Sequence, residues 1–496
     1  MKCSALLAAV KPLTVAGAGD PDIKGLACDS RKVKPGFLFF ALRGRVTDGR
    51  QFMDDAGRRG AAAIALEHDP AAGPIRAGAG SIPMLVYADA RLAMAELAAA
   101  YHRRPGDRLQ LVGVTGTNGK TTIAFLVRAI LEAAGRRTGL LGTVVYQMGE
   151  RAIPASRTTP ESVDLQDMLS QMVEAGCRSA VLEVSSHALV QHRVAGLDFD
   201  AAVFTNLTQD HLDYHETREQ YFQAKARLFL GLSRRRKRPA AVINIDDPYG
   251  RRLAGLGPLD ADLVTVSLDS AADVRASGLR LSPAGSTFDA QTPWGAARVS
   301  LPLAGRYNAA NALAALAAAG ALGVPPAAAA GALAGIAAIP GRLEAIAAPA
   351  GFTVYVDYAH TDDALRNVLT ALREMTGGRV LTVFGCGGNR DRGKRPLMGA
   401  VAEALSDHVI LTSDNPRKED PGEILAQIRA GCRDRGAVEV IEDRQEAIER
   451  ALSLAVPGDT VLVAGKGHEN YQEFADTVIP FDDRQVVREC LGIRHA

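Results

Sequence analysis

The chain has 496 residues, of which 47% are hydrophobic and 23% are charged, and its formal net charge is +1. This length predicts about three domains, and the near-neutral charge and lack of a membrane-spanning apolar run argue against nucleic acid or a membrane as main partner. Six scattered cysteines without a C-x-x-C pair argue against a disulfide framework or a zinc site, and favour a reducing, cytoplasmic location.

Residues 1–89 are predicted to form a small α/β unit around a strand at Phe37–Leu42. A short apolar patch at Met1–Val10 favours a first helix over a signal peptide. Polar segments flank the strand, with Cys28–Arg31 before it and Gly44–Gly49 after it. Loops at strand ends often hold ligands, although ordinary turn chemistry also accounts for these residues.

A phosphate-binding loop is predicted at Gly113–Thr122, which reads GVTGTNGKTT. It follows an apolar strand candidate at Leu109–Val112 and precedes a helix candidate at Ile123–Ala134. In such a turn, backbone N–H groups and the helix N-terminus face an anion, Lys120 reaches the outer phosphates, and the Thr121 hydroxyl holds Mg²⁺. The strict pattern G-x-x-x-x-G-K-T is not met, so a plain glycine turn remains an alternative at this point.

Three further strand candidates follow, separated by helical segments as in a parallel sheet with helices on its faces. They are Ala180–Val184, Ala201–Thr205 and Ala241–Ile245. The first two lead into polar clusters that contain Glu183 and His211. Because ligands sit beyond the carboxyl ends of such strands, both side chains are predicted to converge on a metal ion beside the phosphate loop.

Lys225 lies on the apolar stripe of a predicted helix. The stripe is formed by Tyr221, Phe222, Leu228 and Phe229. A lysine at this position loses hydration unless its ammonium group reaches water, finds a partner or is modified. Snorkelling to water is the ordinary explanation, and a functional lysine is the alternative.

A third region begins after the Pro-Gly break at Ile339–Arg342, which follows an alanine-rich helical stretch. Its strand candidates are Thr353–Val356, Arg379–Phe384, Val409–Thr412 and Thr460–Ala464. Each leads into Gly, Asp, Asn, Arg or Glu residues, which predicts one ligand-facing rim. We place the domains at residues 1–89, 90–340 and 341–496.

Together these segments resemble the Mur ligases and the related folylpolyglutamate synthetases. Thr115–Thr122 is similar to the family's own form of the phosphate loop. The other matching motifs, in chain order, are Glu183–His187, Asn206–Asp213, Tyr307–Asn311, Pro340–Glu344 and Asp357–His360. Asp414–Arg417 and Gly465–Glu469 narrow the resemblance to members that add the third peptide residue in peptidoglycan synthesis.

The resemblance implies a three-domain α/β fold, with a central P-loop-type parallel sheet flanked by helices and a Rossmann-like C-terminal domain. Region 1–89 is expected to bind UDP-MurNAc, region 90–340 ATP, and region 341–496 the incoming amino acid. The implied reaction is phosphorylation of the D-glutamate carboxylate of UDP-MurNAc-L-Ala-D-Glu by ATP, then attack of the meso-diaminopimelate amine on the acyl phosphate. Family analogy also implies a monomer.

The family's ATP and metal sites carry over to this sequence residue by residue. The implied ATP contacts are Gly116, Thr117, Asn118, Gly119, Lys120, Thr121, Thr122, Asn311, Arg342 and Asp357. Thr121, Glu183 and His211 are expected to bind Mg²⁺. Lys225 matches a lysine that family members carbamoylate with CO₂, and its carbamate is expected to position a second Mg²⁺. Lys120, Lys225 and His211 are the expected catalytic residues.

The substrate-binding residues carry over in the same way. The implied UDP-MurNAc-dipeptide contacts are Cys28, Ser30, Arg45, Val46, Thr47, Arg157, Thr158, Thr159, Ser185, Gln191 and Arg193. Cys28 stands where many relatives have Leu, and Arg157 stands where Asn is often found. The implied diaminopimelate contacts are Arg390, Asp414, Asn415, Pro416, Arg417, Gly465 and Glu469.

Arg417 is expected to select the amino acid. Diaminopimelate has a carboxylate at its far end and lysine does not, and Arg417, with Arg390 near it, offers planar donors to that group. Glu469 and the Gly465 carbonyl are expected to accept from the neighbouring ammonium. With lysine bound, Arg417 would be desolvated and unpaired, which predicts rejection of lysine by about 10⁴-fold or more.

Three other functions are compatible with the phosphate loop. A folylpolyglutamate synthetase shares the ATP machinery but lacks the motif at Asp414–Arg417 and the uridine-binding region. A P-loop phosphotransferase such as a kinase leaves Lys225 and the third-region rim unexplained. A nucleotide-binding switch does not need a second pocket lined by Arg and Glu.

Overall fold

The computed structural model describes residues 1–44, 47–68, 82–235, 237–433 and 437–493. Three large sheets follow one another along the chain, and a two-stranded hairpin lies near the end. Among the described residues, no helix has the length and apolar character needed to cross a bilayer. The domain boundaries remain a prediction, since the structure supplies sheets and helices rather than independently folding units.

The first sheet has five strands, of which the first in sequence runs antiparallel at one edge and the others are parallel. The strands are β1 (Thr14–Ala16), β2 (Gly25–Ala27), β3 (Phe37–Ala41), β4 (Ala63–Glu67) and β5 (Met84–Tyr87). Their spatial order is β1-β5-β4-β3-β2. The helices of this region are α1 (Cys3–Leu7), α2 (Met53–Arg58) and α3 (Ala90–Tyr101).

The central sheet has eleven strands. They are β6 (Gln110–Thr115), β7 (Thr138–Leu141), β8 (Val145–Met148), β9 (Arg151–Pro154), β10 (Ser179–Glu183), β11 (Ala201–Phe204), β12 (Ala240–Asn244), β13 (Asp262–Ser267), β14 (Val274–Ser282), β15 (Gly285–Thr292) and β16 (Gly295–Leu301). Their spatial order is β16-β15-β14-β13-β12-β11-β6-β10-β7-β8-β9. The strands from β14 to β7 are parallel, so their carboxyl ends share one edge.

Helices cover both faces of the central sheet, and each interface buries an apolar core. The helices are α4 (Lys120–Ala133), α5 (Ser162–Glu174), α6 (Ser186–Val190), α7 (Leu212–His215), α8 (Arg218–Leu230), α9 (Pro248–Ala254), α10 (Arg306–Ala321) and α11 (Pro326–Ala334). The helix predicted to carry Lys225 is therefore α8.

The third sheet has six strands, of which only the first in sequence pairs antiparallel. The strands are β17 (Glu344–Ala347), β18 (Thr353–Asp357), β19 (Val380–Phe384), β20 (His408–Leu411), β21 (Val438–Val440) and β22 (Thr460–Ala464), in the spatial order β17-β18-β22-β19-β20-β21. The flanking helices are α12 (Asp362–Met375), α13 (Lys394–Leu405), α14 (Pro421–Arg429), α15 (Arg444–Leu454) and α16 (Asp483–Cys490). Strands β23 (Tyr471–Phe474) and β24 (Thr477–Pro480) form the hairpin.

The phosphate loop is shorter than the sequence predicts. Strand β6 continues through Thr115, because β10 and β11 pair with it on both sides and extend the ladder. Helix α4 begins at Lys120 rather than at Ile123, directly after the left-handed Gly119. The turn therefore spans only residues 116–119, and Lys120 and Thr121 are the first helical residues.

The central sheet is also not purely parallel. The hairpin β8–β9 extends one edge, and β15 and β16 extend the other, all with antiparallel pairing. The remaining strands predicted from the sequence are confirmed to within one residue at each end.

Candidate active site

The phosphate loop packs tightly against neighbouring side chains. Gly116 (φ 147°) and Gly119 (φ 87°) have backbone angles that other residues rarely adopt. A Cβ atom on Gly116 would collide with the Thr205 hydroxyl, and one on Gly119 would collide with the Asn311 amide oxygen. Both positions therefore require glycine, and Asn311 is held directly against the loop.

Three basic side chains contact this loop or the first turn of α4. Lys120 Nζ donates to the carbonyl oxygens of Gly116 (3.0 Å) and Thr117 (2.7 Å), and Lys225 Nζ donates to that of Gly116 (2.6 Å). Arg342 Nη2 donates to Thr121 Oγ1 (2.9 Å). Lys120 and Arg342, beside a helix N-terminus, are suited to a polyphosphate anion.

Lys225 does not snorkel. Its side chain is 1% exposed, and its Nζ lies 4.5 Å from the centre of the Tyr221 ring. Burial, and then the charge of Lys120, lower the pKa of Lys225 well below its ordinary value. The ordinary explanation of this lysine is therefore wrong, and a buried, readily deprotonated amine lies beneath the phosphate loop.

Lys120, Thr121, Glu183, His211 and Arg342 line a common cavity of about 350 Å³. Glu183 is 1% exposed and accepts hydrogen bonds from Thr121 Oγ1 (2.9 Å) and from the backbone N–H of Thr143 (2.8 Å). The carboxylate also acts on Lys120, because its charge raises the pKa of that lysine against the effect of burial. A buried anion beside a hydroxyl group is a donor set that fits Mg²⁺.

His211 lines the same cavity, and its Nε2 lies 3.3 Å from Asp210 Oδ2. Burial is the largest effect and lowers the pKa of His211 to about 3, against the opposing effect of the Asp210 carboxylate. A neutral imidazole nitrogen is the form that binds a metal ion. The structure thus brings Thr121, Glu183 and His211, the three predicted metal ligands, to one cavity.

The third region supplies the opposite wall through Arg342 and Asp357. The Asp357 carboxylate accepts from the backbone N–H groups of Leu343 (2.6 Å) and Ala359 (2.8 Å), and burial raises its pKa to about 6. The guanidinium carbon of Arg342 lies 4.8 Å from the centre of the Tyr358 ring. Asp357 therefore anchors the loop that carries Arg342.

A second direct contact joins the third region to the phosphate loop. Asn118 Nδ2 donates to Asp363 Oδ2 (2.8 Å), at the start of α12. Asn118 is fixed from the other side, because its backbone N–H donates to Asn206 Oδ1 (2.9 Å). Asp363, which no sequence motif singled out, thus connects two regions that are distant in the chain.

A larger cavity, of about 990 Å³, adjoins the first. The residues that line both cavities are Thr143, Thr158, Asp210, His211, Tyr358 and His360. The predicted substrate residues on its wall are Arg157, Thr158, Thr159, Ser185, Arg193, Arg390, Asp414, Asn415, Arg417, Gly465 and Glu469. The phosphate loop and both predicted substrate sites therefore meet at the shared wall.

The central-region wall is held by a compact network. Thr159 Oγ1 donates to the Glu183 carbonyl oxygen (2.8 Å) and accepts from the Ser185 N–H (3.0 Å). Arg193 donates to the Thr159 carbonyl oxygen (2.9 Å) and pairs with Glu161 (2.8 Å). Arg157 pairs with the same Glu161. The predicted dipeptide contacts are thus tied to the strand that carries Glu183.

The third-region wall combines acidic and basic groups. Asn415 Nδ2 donates to Glu469 Oε2 (2.8 Å), and Lys466 Nζ pairs with the same oxygen (3.2 Å). Burial, and then the neighbouring Asp414, raise the pKa of Glu469. A Cβ on Gly465 would lie 2.6 Å from Asp414 Oδ2, so the two strand ends touch.

Arg417 has a partner that the sequence argument did not foresee. Its Nε donates to Glu473 Oε2 (2.8 Å), and its Nη1 donates to the Gly388 carbonyl oxygen (3.0 Å). The sequence argument treats Arg417 as unpaired unless a distal carboxylate binds, whereas the structure gives it an anionic partner in Glu473. Arg390 is near Arg417, since both side chains lie within 4 Å of the position that a Cβ on Gly387 would occupy.

Other predicted contacts lie outside the two cavities. Burial raises the pKa of the Cys28 thiol to about 12, and the charges of Glu161 and Arg157 act on it. Cys28 and the buried Ser30 thus neighbour the central region without lining either cavity. The predicted contacts that line neither cavity are Gly116, Lys225, Cys28, Ser30, Thr47, Gln191 and Pro416. Arg45 and Val46 lie outside the described residues.

The cavities also contain residues that the sequence analysis did not select. Five of them with polar or ionisable side chains are Thr143, Asp210, His360, Lys394 and His468. Thr143 follows the end of β7, so the strand-end argument that found Glu183 would also have found it. Asp210, His360 and His468 lie inside quoted motifs, whereas Lys394 has no comparable signal.

Comparison with known proteins decides the family. Three family models match the chain: the Mur ligase family, catalytic domain over residues 22–102, the Mur ligase middle domain over 114–319, and the Mur ligase, glutamate ligase domain over 341–467. The chain belongs to the Mur ligase family. Among its relatives, the UDP-N-acetylmuramoyl-L-alanyl-D-glutamate–2,6-diaminopimelate ligase of Geobacter metallireducens is 48% identical, covering 98% of each chain. The enzyme of the same name from Geobacillus kaustophilus is 46% identical, covering 100% of each.

Solved structures of Mur ligases share the fold. A structure of a UDP-N-acetylmuramoyl-L-alanyl-D-glutamate–2,6-diaminopimelate ligase is 38% identical, with a TM-score of 0.65 and coverage of 95% of each chain. MurF from Thermotoga maritima, solved in complex with ADP, is 21% identical, with a TM-score of 0.62 and coverage of 89% of this chain and 93% of its own. At that identity, the second comparison shows the fold alone.

Proposed function

We propose that this Mur ligase joins meso-diaminopimelate to the D-glutamate side-chain carboxylate of UDP-MurNAc-L-Ala-D-Glu, with ATP as the phosphate donor. This is a step of peptidoglycan synthesis, on which cell shape and division depend. The observation that carries the proposal is the wall shared by the two cavities, where Asp210 and His211 separate the phosphate loop from the predicted substrate residues. The names of full-length relatives support the choice of substrates.

The nucleotide would bind in the smaller cavity. Lys120 and Arg342 would leave the loop carbonyl and Thr121 to neutralise the charge that develops on the transferred phosphoryl group. Thr121, Glu183 and His211 would hold Mg²⁺, which neutralises phosphate charge when bound. Asn311 and Asp357 would complete the walls around the nucleotide.

The acceptor would occupy the central-region side of the larger cavity. Thr158, Thr159, Ser185 and Arg193 would hold the dipeptide so that the D-glutamate carboxylate lies at the shared wall, next to His211. Such a placement would bring the carboxylate toward the phosphate loop, as an in-line transfer requires. The uridine end would extend toward Cys28 and Ser30 in region 1–89.

Lys225 would act as a carbamate. Its buried, weakly basic amine is the form that adds CO₂, and the product is an anion near the phosphate loop. Such an anion would offset the charge of Lys120 and help to hold a second Mg²⁺.

The incoming amino acid would bind to the third-region side. Arg417 and Arg390 would receive its distal carboxylate, and Glu469 and Asp414 would receive the ammonium beside it. Its reacting amine would then face the acyl phosphate across the shared wall. The proposal includes a monomer that acts in the cytoplasm.

The test is ATP-dependent phosphate release with UDP-MurNAc-L-Ala-D-Glu, comparing meso-diaminopimelate with L-lysine. Release that requires both the acceptor and meso-diaminopimelate is expected. Turnover with L-lysine but not with meso-diaminopimelate, in the presence of the acceptor, would refute the proposed selectivity for diaminopimelate. Release that needs neither substrate, or phosphate transfer to another acceptor, would favour a phosphotransferase instead.

A further inference from the structure

The hairpin β23–β24 is docked onto the loop that carries Arg417. The backbone N–H of Arg417 donates to the Glu473 carbonyl oxygen (2.9 Å), and that of Ala475 donates to the Arg417 carbonyl oxygen (2.6 Å). The Glu473 N–H in turn donates to Asn415 Oδ1 (3.1 Å). Arg417 is thus built into the edge of the hairpin, in the left-handed conformation (φ 53°) that a non-glycine residue rarely adopts.

The side chain of Arg417 is fixed at two of its donors. Nε donates to Glu473 Oε2, and Nη1 donates to the Gly388 carbonyl oxygen. A guanidinium group has five N–H donors. Three of them therefore remain for a ligand, one on Nη1 and two on Nη2. Among the described residues, none accepts a hydrogen bond from Nη2. Two N–H donors on that edge are what bidentate recognition of a carboxylate needs.

We propose that Glu473 is a positioning residue for amino-acid selection, which holds the Arg417 guanidinium with its free edge toward the larger cavity. The inference rests on the proposed function. It adds a residue outside the Asp414–Arg417 and Gly465–Glu469 motifs. The distal carboxylate of the diamino acid then meets donors that are already oriented, so less ordering is needed on binding.

The alternative role for Glu473 is competition: its carboxylate would then occupy Arg417 in place of the carboxylate of the amino acid and weaken binding. Its side chain is 34% exposed and that of Arg417 is 17% exposed, so water screens the carboxylate more than the guanidinium. The contact also uses Nε, which leaves the Nη edge free. Both observations favour positioning over competition.

The experiment compares Glu473→Ala and Glu473→Gln with the wild-type enzyme. The control is Asp476→Ala, because Asp476 is an exposed acid in the turn of the same hairpin. KM and kcat are measured separately for meso-diaminopimelate and for ATP, and melting temperatures establish that each variant is folded.

Glu473→Ala should raise KM for meso-diaminopimelate about tenfold or more, with KM for ATP within about twofold of wild type, as expected for loss of a hydrogen bond to a charged group. Glu473→Gln keeps an oxygen acceptor for Nε and should recover most of the loss. Asp476→Ala should match the wild type.

An unchanged or lowered KM for meso-diaminopimelate in Glu473→Ala would overturn the inference, because Glu473 would then be a bystander or a competitor. Equal damage in Glu473→Gln, an equal rise in KM for ATP, or the same effect in Asp476→Ala would overturn it as well. A wild-type enzyme without turnover of meso-diaminopimelate would instead refute the proposed function.

Discussion

Replacing Lys225 by methionine removes the buried amine while keeping a side chain of similar length. The Gly116 carbonyl oxygen keeps a donor in the variant, because Lys120 Nζ also lies 3.0 Å from it. The structural cost of Lys225→Met is therefore about one neutral hydrogen bond, near 1 kcal/mol. The wild-type chain, in contrast, loses stability by burying an amine that is charged in the unfolded state, and the methionine variant avoids this loss.

That cost depends on pH with a definite sign. The pKa of Lys225 in the folded state is lowered by burial, so the unfolded chain binds the proton more tightly. The wild-type stability then rises with pH, by about 1.4 kcal/mol per unit, in the range between the lowered pKa and the ordinary value near 10.4. The methionine variant lacks this dependence, so its advantage in unfolding free energy should shrink by that amount for each unit of increasing pH.

The assay is urea unfolding between pH 7.5 and 9, in CO₂-free buffer so that the amine is unmodified. The only tryptophan, Trp294, lies in the turn between β15 and β16 of the central sheet, so its fluorescence follows the region that contains Lys225. Lys34→Met, at an exposed lysine, serves as the control. A stability difference between Lys225→Met and wild type that does not change with pH would refute the buried neutral amine, and with it the physical case for carbamoylation.

The loss of the Lys225 amine should also lower the catalytic rate, which is measured independently of stability. Lys225→Ala is expected to lose activity by about 10²-fold or more, the usual effect of removing one preorganised charge from a transition state. Added short carboxylates should restore part of the rate by replacing the carbamate. Rates that stay at the unrescued level would argue against the carbamate role.

Asp363→Ala should raise KM for ATP by about twofold to tenfold in steady-state kinetics, since one hydrogen bond to the phosphate loop is lost, whereas Asp362→Ala, at the preceding position, should not. Arg444→Met should lower the unfolding free energy of the third region by about 3–5 kcal/mol, because it leaves the fully buried Asp483 unpaired. Unfolding followed by far-UV circular dichroism measures this loss, and the double variant with Asp483→Leu should recover most of the lost stability. Arg417→Ala should reduce the preference for meso-diaminopimelate over lysine at least about tenfold, and an unaltered preference in competition assays would remove Arg417 from selectivity.

The strand-end argument worked because the two larger sheets are mainly parallel. Glu183 is the last residue of β10, Asp357 is the last of β18, and Gly465 follows β22 directly. In such sheets all carboxyl ends meet at one edge, so a local pattern predicts which side chains come together. The same argument required no knowledge of how the sheets pack against each other.

Contacts between regions had no local signal. Asn118 and Asp363 are 245 positions apart, and Glu473 reaches Arg417 only because the hairpin folds back onto the loop. The sequence pattern also places the start of α4 at Ile123, three residues too late. Lys120 and Thr121 have no apolar periodicity, and they become helical because of the turn at Gly119. Periodicity reports burial along one element, whereas these features depend on how separate elements dock.

The cations around the phosphate loop have a consequence for the catalytic cycle. The Gly116 carbonyl oxygen receives both Lys120 and Lys225, and the Thr121 hydroxyl receives Arg342. These oxygens occupy the donors of Lys120 and Arg342 before the nucleotide binds, and each of the two side chains then exchanges a carbonyl or hydroxyl oxygen for one on the nucleotide. When the products leave, the same oxygens accept hydrogen bonds from these side chains again. Product release therefore leaves no buried charge without a partner, and the loop returns to the state that binds the next nucleotide.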